Sequence, residues 1–433
     1  MTVVEVGSYR VRGGYVGDLH PTVSLPALLS KGDATQSDFM SILQSSANRN
    51  TTESDILPLW SLQSLQSNVE HHVRSIRHIK HNLLKCKPED PLMLVIPEVW
   101  QERSEILEGL TELFLEDGEE NGIASSLYFS RPLVNIALAN AKVSALVCDV
   151  GHSHVTVGAV LDGYLLRQTL NSLPLGGAVV TSQFQSALEK QWRPWADEQA
   201  ATLCRRQPHH QKVISDYLLG DLADRVKRMS GEVHLDEEAQ EELEKGPGRK
   251  RLRKVTKPSP GVTQPVQMYT PDGNTFSLNT VQRSKPFEVF FGGMDEAIPE
   301  GASKFHLVDF VANCKNLLDP EWQLRGVHHI VAGGGAQAAS FTPRLLQELK
   351  KRDTSYYRLE EEGCFTTTSQ KNDAWAGASM SACSSAFFPH VDYAAGVAGG
   401  GRIRIAPKTL PLKSEQYITN KFFFGLLFFF FHE

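Results

Sequence analysis

The chain has 433 residues, with 44 Lys and Arg against 50 Asp and Glu and a formal net charge of −6. At roughly 150 residues per domain that length allows two or three domains. With 41% apolar and 22% charged residues the balance is that of an ordinary globular protein. A net negative chain does not coat nucleic acid by bulk charge, although a local basic patch can still touch it. Six cysteines, none in C-x-x-C spacing, exclude a zinc ribbon or thioredoxin motif and read as reduced thiols of an intracellular protein. Phenylalanine is unevenly spread: of 21 in the chain, seven fall in the last twelve positions.

In chain order, VVEVGSYRVRGGYVGD alternates apolar and polar residues around Gly7-Ser8. It predicts a hairpin whose return is bent by Gly13, Gly14 and Gly17. It has no basic segment followed by an apolar one, as a secretory leader would. Residues 27–67, rich in Ser, Gln, Asn and Thr, read as loosely structured. From Val69 a helical period follows, with Val73, Ile76 and Leu83 on one face. His71, His72, His78 and His81 share that helix, but Arg74, Arg77 and Lys80 between them would repel a metal ion, so the face reads as basic and solvated. Leu92–Ile96 is a short buried strand, followed by an amphipathic helix in ERSEILEGLTELFLE.

Residues 141–165 repeat the opening pattern. The apolar run Val143–Cys148 leads into Asp149-Val150-Gly151, and Val155, Val157, Val160 and Leu161 mark the return. Residues 231–264 then join an acidic block, the basic GPGRKRLRK and a Pro-rich stretch. Adjacent charge blocks of this kind bury too little apolar surface to order themselves. VQMYTPDGNTFSL predicts a hairpin turning at Pro271-Asp272-Gly273. An apolar strand in HHIVAGGG runs into Gly333, Gly334 and Gly335, and a helix starts near Ser340. GVAGGGR at 396–402 follows no strand and reads as a linker. The Phe-rich run 422–431 has ten residues, short of the ~18–20 that a membrane span needs, and reads as a frayed end.

Tight turns with Gly and Ser let backbone N–H groups approach a phosphate closely. A strand–Gly loop–helix places the same donors against a phosphate or a nucleoside. Carboxylates at strand ends hold Mg²⁺ through its waters. Glu5 and Asp149 each stand just before a turn, and Arg12, on the first return strand, is placed to reach an anionic oxygen. One such turn is usually only a hairpin; two alike plus a third Gly loop leave a nucleotide cleft and plain hairpins as equal readings.

Three segments carry a resemblance. GSYRVRGGYVGD is similar to the first phosphate loop of actins and actin-related proteins. LVCDVGHSHVTVGAVLDGYLL with LPLGGAVVT resembles the second loop. IVAGGGAQAASFTPRLLQEL and NDAWAGASM resemble the adenosine-side loop and the Trp-Gly segment after it. The resemblance covers roughly residues 1–26, 85–180 and 265–390, and within the superfamily it is nearest to the nuclear class of chromatin-modifying complexes, often numbered fourth. It implies the actin/sugar-kinase/heat-shock ATPase α/β fold, two lobes around a nucleotide cleft. The small lobe would be 1–139, with 27–67 divergent. The large lobe would be 140–372 with the insertion 231–264, followed by a return to the small lobe at 373–394 and a divergent tail at 395–433.

Position by position, the resemblance implies that Gly7, Ser8, Tyr9 and Arg12 and then Asp149, Gly151, His152 and Ser153 meet the phosphates of ATP or ADP. Glu5 and Asp149 would hold Mg through water, Glu5 standing where the family has Asp and Arg12 where it has Lys. Gly333, Gly334 and Gly335 would line the adenosine and Lys371 would cover the purine. Filamentous actins orient the attacking water with a Gln and a His. The Gln position holds Pro132; the His position holds His154 or, without a gap, Thr156. Slow or no ATP hydrolysis is therefore expected.

The family's partner groove maps to Leu138, Ser381, Ser384 and Phe387. The two serines stand where Leu is usual, a loss of a few kcal/mol of apolar burial. The implied occupant is a helix of a remodeller or acetyltransferase scaffold. Conventional actin is an expected neighbour, histones or the nucleosome are further contacts, and no membrane is expected. Arg249, Lys250, Arg251, Arg253 and Lys254 read as a nuclear localisation signal. The implied function is a non-polymerising nuclear subunit that holds ATP structurally. A cytoskeletal actin-related protein, in a filament or a dynein activator, and a phosphotransferase of the same superfold are the other readings. Against the last stands the lack of a separate substrate-site carboxylate.

Overall fold

The computed structural model describes residues 1–30, 56–58, 75–87, 90–115, 123–124, 126–203, 211–235, 265–269, 273, 275–292, 306–368 and 371–383. Most of 27–67, the basic run Arg249–Lys254, the groove positions Ser384 and Phe387, and the tail 395–433 lie outside these residues.

The opening hairpin forms as β1 (Thr2–Val6) and β2 (Arg10–Tyr15). With β3 (Val23–Pro26), β4 (Leu92–Val95) and β5 (Leu127–Ser130) it builds a five-stranded sheet in the order β3-β2-β1-β4-β5. The second hairpin is β6 (Ala145–Val150) with β7 (Val155–Leu161). It joins β8 (Tyr164–Leu165), β9 (Asn171–Leu173), β10 (His328–Ala332) and β11 (Phe365–Thr367) in a second sheet ordered β8-β7-β6-β10-β11, with β9 beside β7. The two sheets share one plan. An antiparallel hairpin is extended on its first strand by two parallel strands, β4 and β5 in one sheet and β10 and β11 in the other. Parallel strands need helical crossovers, so the central strands are covered on both faces and read as apolar runs such as LMLV and the IVA of His328–Ala332.

Around the sheets pack α1 (Ser104–Leu115), α2 (Pro132–Ala139), α3 (Gly177–Leu203), α4 (Gln211–Ser230), α5 (Leu307–Asn316), α6 (Phe341–Arg352) and α7 (Asp373–Ala382). One face of the first sheet buries Val4, Leu92 and Leu94 against Ile76, Ile79 and the Leu110 and Phe114 of α1. Its other face buries Val3, Met93 and Val95 against Trp375 of α7, whose indole N–H donates to the Val3 carbonyl at 3.1 Å. The second sheet has the larger core, closed by Phe184 of α3, Leu222 and Val226 of α4, and Phe341 and Leu345 of α6. Among the described residues no helix is long and apolar enough to cross a membrane.

Two expectations change. The face carrying His78 and His81 is not wholly solvated, because Lys80 between them is fully buried. Residues 78–83 form a wide π-turn that places Lys80 beside buried Ile79, and its ammonium donates to the Asp90 carbonyl at 2.7 Å. Residues 231–235, expected inside the charged insertion, belong to the second lobe. Val233 and Leu235 are buried, and the Val233 N–H donates to the Ala339 carbonyl at 2.8 Å. Helix α2 lies between the two sheets: Leu133, Ile136 and Ala137 bury on the second, Ala139 packs on the cluster of Val3, Met93 and Trp375, and α7 lies so close that a Cβ on Gly377 would fall 1.9 Å from the Asn135 carbonyl oxygen.

Candidate functional site

The two hairpins turn in the same way. The Gly7 N–H donates to the Arg10 carbonyl at 3.1 Å and the Gly151 N–H to the His154 carbonyl at 2.9 Å. Neither turn has room for a side chain at its glycine, since a Cβ would lie 2.6 Å from Arg10 O or 2.9 Å from His154 O. The third loop follows β10, where Gly333 has φ +91° and approaches Asp149 so closely that a Cβ would sit 2.4 Å from its Oδ1. Only glycine accepts that conformation and that contact at low cost. Gly334 next to it faces open space.

The three loops converge on a cleft of about 660 Å³, within the range of small-molecule sites. Glu5, Gly7, Ser8, Tyr9, Arg12, Asp149, Gly151, His152, Ser153, Gly333, Gly334, Gly335 and Lys371 all line it. Leu138 and Ser381 lie elsewhere, half-buried on α2 and α7. The Ser381 hydroxyl donates to the Ala378 carbonyl of its own helix.

Electrostatics separate the two hairpins. Glu5 and Arg12 are register partners, and Arg12 donates to Glu5 Oε1 at 2.6 Å. Arg12 thus pairs with the carboxylate facing it across the hairpin while also lining the cleft. The other oxygen, Glu5 Oε2, is buried and accepts no hydrogen bond among the described residues. Burial pushes the Glu5 carboxyl up, Arg12 opposes this, and Asp373 adds to it. At the equivalent position of the second hairpin Asp149 faces Thr156, which brings no charge. Burial, reinforced by Glu5, Glu98 and Asp373 and opposed by Arg12, pushes Asp149 up to about 7. His152 is driven down to about 4 by burial and by Lys227, and burial likewise lowers His154, so both imidazoles are neutral at pH 7.

Two groups of cleft residues were not singled out from the sequence. On α4, Asp224 binds Lys227 at 2.9 Å and Arg228 at 2.8 Å, and accepts from the Tyr9 hydroxyl at 2.8 Å. Burial alone would raise Asp224, but Lys227, Tyr9 and Arg228 outweigh it and hold the carboxyl below its ordinary range. Tyr9 in turn is pushed up to about 12 by burial and by Asp224. Spaced i, i+3 and i+4 on a helix, Asp224, Lys227 and Arg228 look in sequence like a solvated charged face. The second group is Glu98, buried at the cleft wall. It accepts from Arg131 at 2.6 Å and from the Leu133 N–H at 3.2 Å, at the N-terminus of α2. Nothing beyond an acidic residue after an apolar strand marked it.

The donor set suits a phosphate chain carrying a divalent cation: Gly-rich backbone turns, two carboxylates at strand ends, and cations at the rim. Among the described residues no three His, Cys, Asp or Glu side chains converge as a metal-ligand cage. A cation here would keep most of its waters, as Mg²⁺ prefers, and the unpartnered Glu5 Oε2 with Asp149 is the pair that would meet them. Pro132 lines the cleft wall, and its side chain neither donates nor accepts a hydrogen bond. His154 and Thr156 both line the cleft.

A family model described as Actin matches residues 1–391. The chain belongs to the actin family. It is similar to Actin-related protein 4 of Candida albicans, at 27% identity over 43% of this chain and 38% of that protein. It also matches Actin-related protein 4 of Gibberella zeae, at 26% over 60% of this chain and 57% of the relative. A third match is the Schizosaccharomyces pombe "SWI/SNF and RSC complexes subunit arp42", at 23% over 42% of each. The first of these alignments thus spans well under half the relative's length. The actin-like α/β fold with its duplicated sheet plan accords with this membership.

Proposed function

We propose that this chain is a non-polymerising nuclear subunit of a chromatin-remodelling or histone acetyltransferase assembly, with an adenine nucleotide held structurally in its cleft. The observation that carries the nucleotide part is the convergence of three Gly-rich loops on one cleft with Asp149 at its floor. In this reading the backbones of Gly7–Tyr9 and Gly151–Ser153 face the phosphates, Gly333–Gly335 and Lys371 flank the nucleoside, and Glu5 and Asp149 hold the waters of Mg²⁺. The bound cation would screen the phosphate charge. Pro132 leaves one water-orienting role unfilled, so bound ATP persists rather than turning over. A ligand bound only by the folded state stabilises it by mass action.

The chromatin part is supported by the names of the matched relatives. Leu138, Ser381, Ser384 and Phe387 would meet a scaffold helix, and Arg249–Lys254 would direct nuclear entry. Affinity purification of the full chain followed by mass spectrometry tests this. Recovery of a scaffold with a long helix together with conventional actin is expected, whereas recovery of dynein-activator subunits would overturn it. Sedimentation with ATP and Mg²⁺ adds a second check, since a pelleting polymer contradicts the non-polymerising reading.

A further inference from the structure

We propose that Tyr9 is a latch that sets the rate of nucleotide release: its hydroxyl ties the first loop to Asp224 on the opposite lobe, and the cleft opens only when that bond breaks. The inference rests on the nucleotide reading above. Tyr9 stands at the tip of the first hairpin, whose strand β1 is anchored in the first sheet's core through Val4 and Val6. Asp224 stands on α4, anchored in the other core through Leu219, Leu222, Ala223 and Val226. Their 2.8 Å hydrogen bond therefore joins two separate hydrophobic bodies.

The acceptor is held in place. Besides Tyr9, Asp224 carries Lys227 on one oxygen and Arg228 on the other. Lys227 also donates to the Thr181 hydroxyl at 2.7 Å and to the Gly177 carbonyl at 3.1 Å on α3, so the carboxylate does not swing away with the tyrosine. The donor is held as well. The Tyr9 ring packs 5.0 Å from the His152 ring on the second loop, and the Arg228 guanidinium lies 6.0 Å from its centroid.

A second tie crosses the cleft, where the Ser153 N–H donates to Ser8 Oγ at 3.2 Å. That bond uses an amide of the second loop that an incoming phosphate would take for itself. The Tyr9–Asp224 bond uses no loop amide, so a phosphate seated on the loops need not displace it, and it is the tie left to open for exit. A hydrogen bond to a charged acceptor contributes enough to change a rate roughly tenfold or more.

The test uses the full chain loaded with a fluorescent N-methylanthraniloyl ATP and Mg²⁺, chased with excess ATP in stopped flow. Tyr9→Phe keeps the ring packing and loses only the hydroxyl, so it should release nucleotide about tenfold faster. Asp224→Asn should also speed release, and the double variant should be no faster than the quicker single one. In parallel, amide hydrogen exchange of the Gly151–His154 segment is followed without nucleotide and should quicken in Tyr9→Phe. Release from Tyr9→Phe at the unsubstituted rate, or additive effects of the two substitutions, overturns the latch and leaves the nucleotide reading standing. If the unsubstituted chain holds no nucleotide, that reading fails, and the latch is judged on hydrogen exchange: unchanged protection in Tyr9→Phe overturns it.

Discussion

The two hairpins at the cleft are built on one backbone plan and set different partners against their carboxylates. Gly7 and Gly151 close their turns with equivalent hydrogen bonds, and Glu5 and Asp149 each stand two residues before the glycine. The residue facing the carboxylate across the hairpin is Arg12 in the first and Thr156 in the second. That one exchange leaves the first carboxylate neutralised by its own hairpin. The second is left buried, without a cation of its own, and pushed up to about 7. A duplicated scaffold therefore fixes where a carboxylate sits, and the register partner decides whether a cation faces it.

The largest effect expected from this contrast is on folding. Arg12→Ala leaves Glu5 in the cleft floor without its counter-charge and should cost about 3–5 kcal/mol in urea unfolding, as removal of one partner from a buried pair does. Thr156→Ala removes a 3.4 Å contact with the Ser172 hydroxyl and should cost less than about 1 kcal/mol. Equal losses would erase the asymmetry.

Asp149 comes next, through pH. Its folded carboxyl lies near 7, above the ordinary 3.8. A raised carboxylate contributes its stability fully below the unfolded value and loses it as pH climbs through the folded one. The nucleotide-free protein should therefore lose stability between about pH 4 and pH 7 on account of this residue. Asp149→Asn should flatten that slope and gain on the order of 2 kcal/mol at pH 8, while weakening Mg²⁺-nucleotide binding. An unchanged pH profile would show that Asp149 is not the buried, unneutralised carboxylate described.

The glycine loop gives a smaller pair. Gly333→Ala meets Asp149 Oδ1 at 2.4 Å in a left-handed conformation, and should cost about 2 kcal/mol by differential scanning calorimetry. Gly334→Ala has open space before it and should stay within about 0.5 kcal/mol.

The smallest effect is a transplant of the first hairpin's solution into the second. Thr156→Arg places a cation opposite Asp149 and should lower its pKa by about one unit or more, equivalent to about 1.4 kcal/mol. Titration of the Asp149 carboxyl carbon by NMR reads this directly, and no movement would mean that register alone does not set the difference.

The shared turn was legible in sequence because its signals are local: a glycine, a small polar neighbour and alternating apolar residues on either side. So was the third loop, from three consecutive glycines after an apolar strand. The Glu5–Arg12 pair was not, because a hairpin's register is a property of two strands. The Asp224 cluster was hidden for a different reason: helical spacing shows which residues share a face, not whether the other lobe covers that face. Lys80 was misplaced for want of the same information, since its two carbonyl acceptors come from segments 10 and 43 residues away. Residues 231–235 were assigned to the insertion because composition was averaged over 231–264, which hid the alternate burial of Val233 and Leu235.

The most direct test of the cleft's role is to release and quantify the nucleotide carried by the purified full chain, loaded with Mg²⁺-ATP, by acid quench and chromatography over several hours. The account expects about one adenine nucleotide per chain, still ATP at the end, as fits a structural ligand without an oriented water. A chain that retains no nucleotide, or one whose ATP is converted to ADP at actin-like rates, would contradict it.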